Sequence, residues 1–319
     1  MWGYLLRRIL QGVFVLWLIT VAVFALFFLV PNNVARTLAG RQATPKTIAI
    51  VEHRLGLDQP AWKQYLTFLN NAIHGNLGYD YYHQVPVTHV IGQAFPITLS
   101  LALGAAVIWM VLGVFSGVLS AVHPRSVADR SVTGFALFFY SMPSFLLGIM
   151  MIYLLYYRLT LAGITWFPAG DYVPFSQDPR SWAQHMILPW FTLALLLAAT
   201  YTRLTRSSML DVLGEDYIRT ARAKGLKERR VIYRHALRSA LTPVVTQFGI
   251  DIGQLIGGVV VVETVFSLPG LGKTAVDAIN QQDLPVIIGV VLIAAAAVVI
   301  ANIVVDFAYA ALDPRVRLA

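Results

Sequence analysis

Six stretches of this chain are long enough and apolar enough to cross a bilayer, and no other feature restricts its fold as strongly. A bilayer core needs about 20 consecutive apolar residues as helix. Runs of that kind lie at about Ile9–Val30, Phe95–Val122, Ser131–Leu159, Met186–Leu204, Leu241–Val262 and Leu284–Ala311. The fold class expected is an all-α membrane protein with six transmembrane helices. Composition agrees: 13% of residues are charged, against about 25% in soluble domains. The first run follows Arg7 and Arg8, as a secretory signal would. It exceeds the roughly 7–15 apolar residues of such a signal, no A-x-A site follows, and it reads as a retained helix.

Lys and Arg in the connections set the orientation. With the N-terminus inside, the inner segments 1–8, 123–130, about 203–240 and 312–319 carry 16 of the 24 Lys and Arg residues. Most of the outer cations lie in the long 31–94 loop, which counts little in this rule. The N- and C-termini are therefore expected in the cytoplasm. The net charge of +8 is a topology signal, and the basic loop lacks the aromatic series of a nucleic-acid site. The partners are lipids, not nucleic acid. The chain has no cysteine, which excludes disulfides, thiolate metal sites and cysteine nucleophiles.

Two regions follow: residues 1–94, one helix with an external segment, and 95–311, a five-helix bundle with a loop at about 205–240, before a short tail at 312–319. In the external segment Thr44 and Pro45 suit the start of a helix over "TPKTIAIVEHRLGL". Gly113-x-x-x-Gly117 and Gly249-x-x-x-Gly253-x-x-x-Gly257 put small residues four apart, which lets helices approach closely. Packing within the chain explains both stripes; the second could also face another subunit across a pathway. Pro143 and Pro189 are expected to kink their helices. Asp251 and Asp306 are ionisable groups in apolar runs and count as functional candidates. Asp251 either lines a solute pathway or makes the favoured interhelical hydrogen bond. Asp306 reaches the inner interface or a neighbouring helix.

The loop "DVLGEDYIRTARAKGLKERRVIYRHALRSALTPV" (211–245) is the most informative segment. Leu210, Leu213, Tyr217, Ala221 and Lys224 keep helical spacing. Glu215 and Asp216 lie early and Arg222 and Lys224 late, as the helix dipole favours. Gly225 supplies a stop, and a second helix runs from Lys227 into the fifth span. A helix–glycine–helix elbow with no core of its own points to docking on a cytoplasmic partner.

"DYIRTARAKGL" followed by "HALRSALTPV" resembles the EAA loop of ABC importer permeases, E-A-A-x-x-x-G-x(9)-I-x-L-P, keeping Ala221, Gly225 and Leu237. "HRLGLDQPAWKQY", "GNLGYD", "PVTHVIGQAFPITLSLAL", "VVVETVFSLPGLGKTAVDAI" and "IVVDFAYAALDPRVR" are similar to the dipeptide/oligopeptide permease B subunit. "VPNNVA" at 30–35 stands where that family has a Pro-Gly-Asp-Pro turn. The resemblance implies a type I ABC importer permease fold and a coupling helix carried by Asp216, Tyr217, Arg219, Thr220, Ala221, Arg222, Ala223, Lys224 and Gly225. It also implies a heterodimer with a homologous permease, two cytoplasmic ATPase subunits that hold ATP and Mg, and an external substrate-binding protein. No cofactor is expected on this chain, and the chain itself is not expected to be an enzyme. Di- or oligopeptides are the implied cargo; nickel, glutathione or similar solutes remain open, and a secondary transporter is the competing class.

"SLPGLGKT" at 267–274 ends like a phosphate-binding loop, but Ser267 stands where the first glycine belongs and no strand precedes it. It reads as an external turn whose glycines supply backbone freedom, followed by a short helix near Thr274. His53, His74, His83 and His89 lack metal-ligand spacing.

Overall fold

In the computed structural model the described residues are 2–29, 44–46, 49, 53, 58–80 and 82–312. The turn at 30–35, most of the helix expected over 44–57 and nearly all of the tail lie outside them. The helices are α1 (Trp2–Phe24), α2 (Ala61–Ile73), α3 (Val87–Val122), α4 (Val127–Tyr140), α5 (Ser144–Met151) and α6 (Arg158–Leu161). Then come α7 (Pro179–Leu213), α8 (Asp216–Ala223), α9 (Glu228–Arg230), α10 (Leu237–Val265), α11 (Leu271–Gln281) and α12 (Leu284–Leu312). Tyr79–Asp80 and Val85–Pro86 form a short antiparallel ladder. In lipid the backbone has no water to bond, so long apolar runs must close their own hydrogen bonds as helix. Among the described residues, five helical segments are long and apolar enough to cross: Leu6–Phe28, Val87–Val122, Ser144–Leu161, Pro179–Leu213 and Leu284–Phe307. The run expected at Leu241–Val262 lies within α10, a 29-residue helix.

The third run is not the single helix expected over Ser131–Leu159. It breaks at Ser141–Pro143, where Pro143 (ψ 141°) starts α5. Proline disfavours helical geometry in the residue before it and lacks an N–H to donate. Pro189, by contrast, sits inside an unbroken α7.

The chain divides into two compact units. One holds Met1–Pro96 and Gly270–Ala310, the other Ile97–Pro269. In the first, Phe24 packs on Tyr65 and Phe68 of α2, and the hydroxyls of Thr20 and Tyr65 lie 3.0 Å apart. Val87, Ile91, Leu271, Val286 and Val290 share a core. A side chain at Gly12 would press on Val299 and Ile303 of α12 at 3.0 Å. Asp306 pairs with Arg8 of α1 at 3.3 Å.

In the second unit, α3 and α7 approach closely. A methyl group on Gly113 would lie 2.3 Å from the Tyr201 side chain, and one on Gly117 would lie 2.6 Å from Thr205. Trp109 and Tyr201 are fully buried there, and Trp109 also meets Phe248 of α10. The other face of α3 carries Leu99, Leu103, Val107, Val111 and Phe115, all exposed. A helix in water would place polar groups on that face; in lipid an apolar face is at home.

Candidate functional site

The elbow is two helices joined by a left-handed glycine. α7 ends at Leu213, and Gly214 and Glu215 turn the chain into α8. Leu210 and Leu213 therefore belong to a different helix from Ala221, and the continuous stripe expected from 210 to 224 is interrupted. Past α8, Gly225 has φ +75°. Its N–H donates to the Arg222 carbonyl (2.9 Å), and the Leu226 N–H donates to the Ala221 carbonyl (3.4 Å). This is a Schellman stop, with Leu226 folding back on the helix. Lys227 then starts α9, and a π-helical turn, Val231–Ala236, leads into α10.

The elbow does have a core, contrary to the sequence expectation. Ile218 is fully buried and Ala221 nearly so, against Val118, Ala121, Met209, Val231, Ile232, Ala236 and Ala240. Tyr217 shares the helical spacing of Ala221, but its ring is exposed, and its hydroxyl donates to Ser239 Oγ at 3.1 Å. The remaining side chains, Asp216, Arg219, Thr220, Arg222, Ala223 and Lys224, all face outward. Arg222 meets Glu228 across the turn at 2.7 Å, and its guanidinium holds the Glu228 carboxyl below the ordinary range. An exposed pair of this kind is worth about 0–1 kcal/mol. Burying an isoleucine contributes about 1.5–3 kcal/mol, so packing by Ile218 fixes the elbow more firmly than the ion pair does.

Beside that core lies a polar junction which the sequence reading missed. Asp129, buried on α4, accepts from Arg206 Nε (2.9 Å) and Nη2 (3.0 Å), from the Arg125 N–H (2.9 Å), and from the Ser120 hydroxyl. Arg206 first, then Ser120 and the Arg125 N–H, hold the carboxyl well below its usual range. The Asp129 N–H donates to Ser126 Oγ at 3.1 Å, closing the helix start. The spacing Ser126-x-x-Asp129 is a helix-start signal legible in the sequence; the partnership with Arg206 is not.

Asp251 accepts hydrogen bonds from Tyr201 Oη (2.8 Å) on α7 and from Gln247 Nε2 (2.9 Å) one turn earlier. Gly249 is buried on α10; the surroundings of Gly253 and Gly257 lie outside the described residues. Glu263, one residue past the apolar run as read from sequence, is fully buried and accepts from Thr98 Oγ1 at 2.6 Å. At "SLPGLGKT" the left-handed residue is Ser267 (φ 55°), not a glycine. Gly270 is extended (φ −85°, ψ −179°) and caps α11, which begins at Leu271, earlier than Thr274. Gly272 is buried in its first turn, so no loop of free N–H groups is presented to a phosphate. His83 bonds to Asp80 (2.7 Å), and His89 to Gln93 (3.1 Å).

Residues 110–318 match the model of the binding-protein-dependent transport system inner membrane component, and residues 1–102 match the N-terminal model of the same membrane components. The chain belongs to this family. Among its relatives in this permease family, the dipeptide transport system permease protein DppB of Escherichia coli is 40% identical, covering 94% of each chain. A Brucella abortus protein named as a peptide transport system permease is 41% identical over 99% of each chain. The inward-facing MetNI methionine ABC transporter shares the fold, with a TM-score of 0.56 at 19% identity over 70% of this chain and 96% of that one. The family is an inner-membrane transport component, and the apolar stripe of α3 suits such a protein.

Proposed function

We propose that this permease is one membrane subunit of an ATP-driven importer for di- or oligopeptides, and that α8 is its coupling helix. One observation carries the reading: α8 is anchored through Ile218 and Ala221 while its other six side chains, Asp216, Tyr217, Arg219, Thr220, Arg222 and Ala223, face outward. A short helix fixed on one face and stopped by a left-handed glycine suits transmission of a push from a docked protein. The peptide cargo is carried over from relatives named for peptide and dipeptide transport.

In this reading the chain crosses the membrane six times, with both termini and the elbow in the cytoplasm. Its partners are a homologous permease, two ATPase subunits holding ATP and Mg, and an external substrate-binding protein. ATP-driven closure of the ATPases moves α8 and its helices as a body, and alternates access to a pathway between the two permeases. The test is reversal of Arg222 and Lys224 to Glu in a reconstituted importer. The expected result is loss of ATP-dependent peptide uptake with the permease still folded. Uptake and transport-stimulated ATPase activity equal to wild type would overturn the coupling role.

A further inference from the structure

Two arginines one turn apart on α7 reach opposite ends of α4. Arg206 meets Asp129 at its start. Arg203, at the edge of the apolar run Met186–Leu204, reaches back to its last residue. There the guanidinium sits over the Tyr140 ring, 4.8 Å from the centroid, and both side chains are exposed. Among the described residues no carboxylate pairs with Arg203. Asp129 is held by Arg206, and Asp251 by Tyr201 and Gln247. Asp211, exposed on the same face of α7, is eight residues away, about 12 Å along the helix. Membrane orientation is served by cations at the elbow end, but this guanidinium is directed away from that end.

Depth gives that direction its meaning. Tyr140 is eleven residues past Asp129, about 16 Å along α4. Beyond the break at Ser141–Pro143, a side chain at Gly148 would touch Val265 and Phe266, at the end of α10 far from the elbow. Tyr140 and the guanidinium over it therefore lie between the two ends of the bundle, at membrane depth. A charge at that depth belongs against a bundle interior or a water-filled cavity. The open face of α7 agrees: Thr200, Arg203 and Ser207 recur at helical spacing, half-buried or exposed. The open face of α3 is instead apolar from Leu99 to Phe115. Lipid suits the second face and not the first.

Resting on the importer reading above, we propose that Arg203 binds the carboxylate of the transported peptide on the wall of the pathway. Every peptide with a free C-terminus carries that group, whatever its side chains. Its passage between membrane helices is unfavourable unless a fixed cation offsets the charge. A guanidinium fork pairs a carboxylate at two points. Stacking on Tyr140 keeps the fork flat and apart from the acids of this chain. A ring contact is weaker than a charge-assisted pair, so it yields the guanidinium to an arriving carboxylate and takes it back on release.

The experiment uses the assembled importer in proteoliposomes, with its binding protein loaded with a dipeptide of free C-terminus. Arg203→Gln is expected to lower the maximal uptake rate about tenfold or more, with little change in KM for the loaded binding protein. Arg203→Lys keeps the charge and is expected to recover most of the rate. Tyr140→Leu removes the ring but leaves the cation, and is expected to stay within about threefold of wild type. Uptake by the Gln variant equal to wild type would overturn the inference. An equal loss in Tyr140→Leu would do the same, by showing a structural contact only. No ATP-dependent uptake by wild type would instead remove the importer reading itself. A thiol at Ser207→Cys, in a chain without cysteine, reads the field of Arg203 directly. An anionic methanethiosulfonate is expected to outpace a cationic one about tenfold, a preference lost with Arg203→Gln. Protection from both reagents, in the nucleotide-free and ATP-bound states alike, would place this face against lipid or protein and overturn the inference.

Discussion

At the scale of single residues, the elbow depends on one backbone conformation. Gly225 is left-handed, and a side chain there raises the energy by about 1–2 kcal/mol. Nothing lies within 4 Å of the position a methyl group would take, so Gly225→Ala strains only the backbone. The expected outcome is a small loss of thermal stability with a larger loss of coupled transport; full transport would show that the stop can be rebuilt without glycine. Asp129 gives a pH test. Its folded-state pKa is depressed, so the stability it contributes is present above the ordinary carboxylate value. That stability is lost progressively as pH falls from the ordinary value towards the depressed one. The melting-temperature difference between wild type and Asp129→Asn is therefore expected to stay constant from pH 5 to 8. A difference that shrinks toward pH 5 would mean that the carboxyl titrates there and that Arg206 does not hold it ionised.

At the scale of elements, apolar run length placed the long helices, because run length and bilayer thickness are tied by geometry. The break at Ser141–Pro143 was harder to place, since the same proline chemistry leaves α7 unbroken at Pro189; surrounding packing decides which outcome occurs. The glycine stop at 225 was legible because a left-handed cap is a local requirement. The elbow core was not legible, since Ile218 meets Val118 and Val231 only after three separate helices converge. The same holds for Asp129 and Arg206, which are 77 residues apart. The glycine pair on α3 was readable as a packing signal, but its partner on α7 was not. Replacing Gly113 with Ala places a carbon 2.3 Å from the Tyr201 side chain. Overpacking of this kind typically costs about 1–3 kcal/mol. A lower melting temperature in detergent is expected for Gly113→Ala, while Gly134→Ala, with open space around it, is expected to be neutral.

At the scale of the whole molecule, the proposed importer couples this membrane bundle to ATPase subunits that are separate chains. The segment "SLPGLGKT" could suggest nucleotide binding by this chain, yet its glycines cap and enter a helix, so ATP is expected to bind elsewhere in the assembly. Because the chain lacks cysteine, a single introduced thiol reports one location. Arg219, exposed on α8, is the position of choice. The decisive measurement is cross-linking of Arg219→Cys in the assembled complex within native membranes, using a short thiol–amine reagent. The account predicts an adduct with the ATPase subunit whose yield changes between the nucleotide-free and ATP-bound states. Free modification of that thiol by a soluble maleimide in the assembled complex, with no adduct to the ATPase in either state, would contradict it.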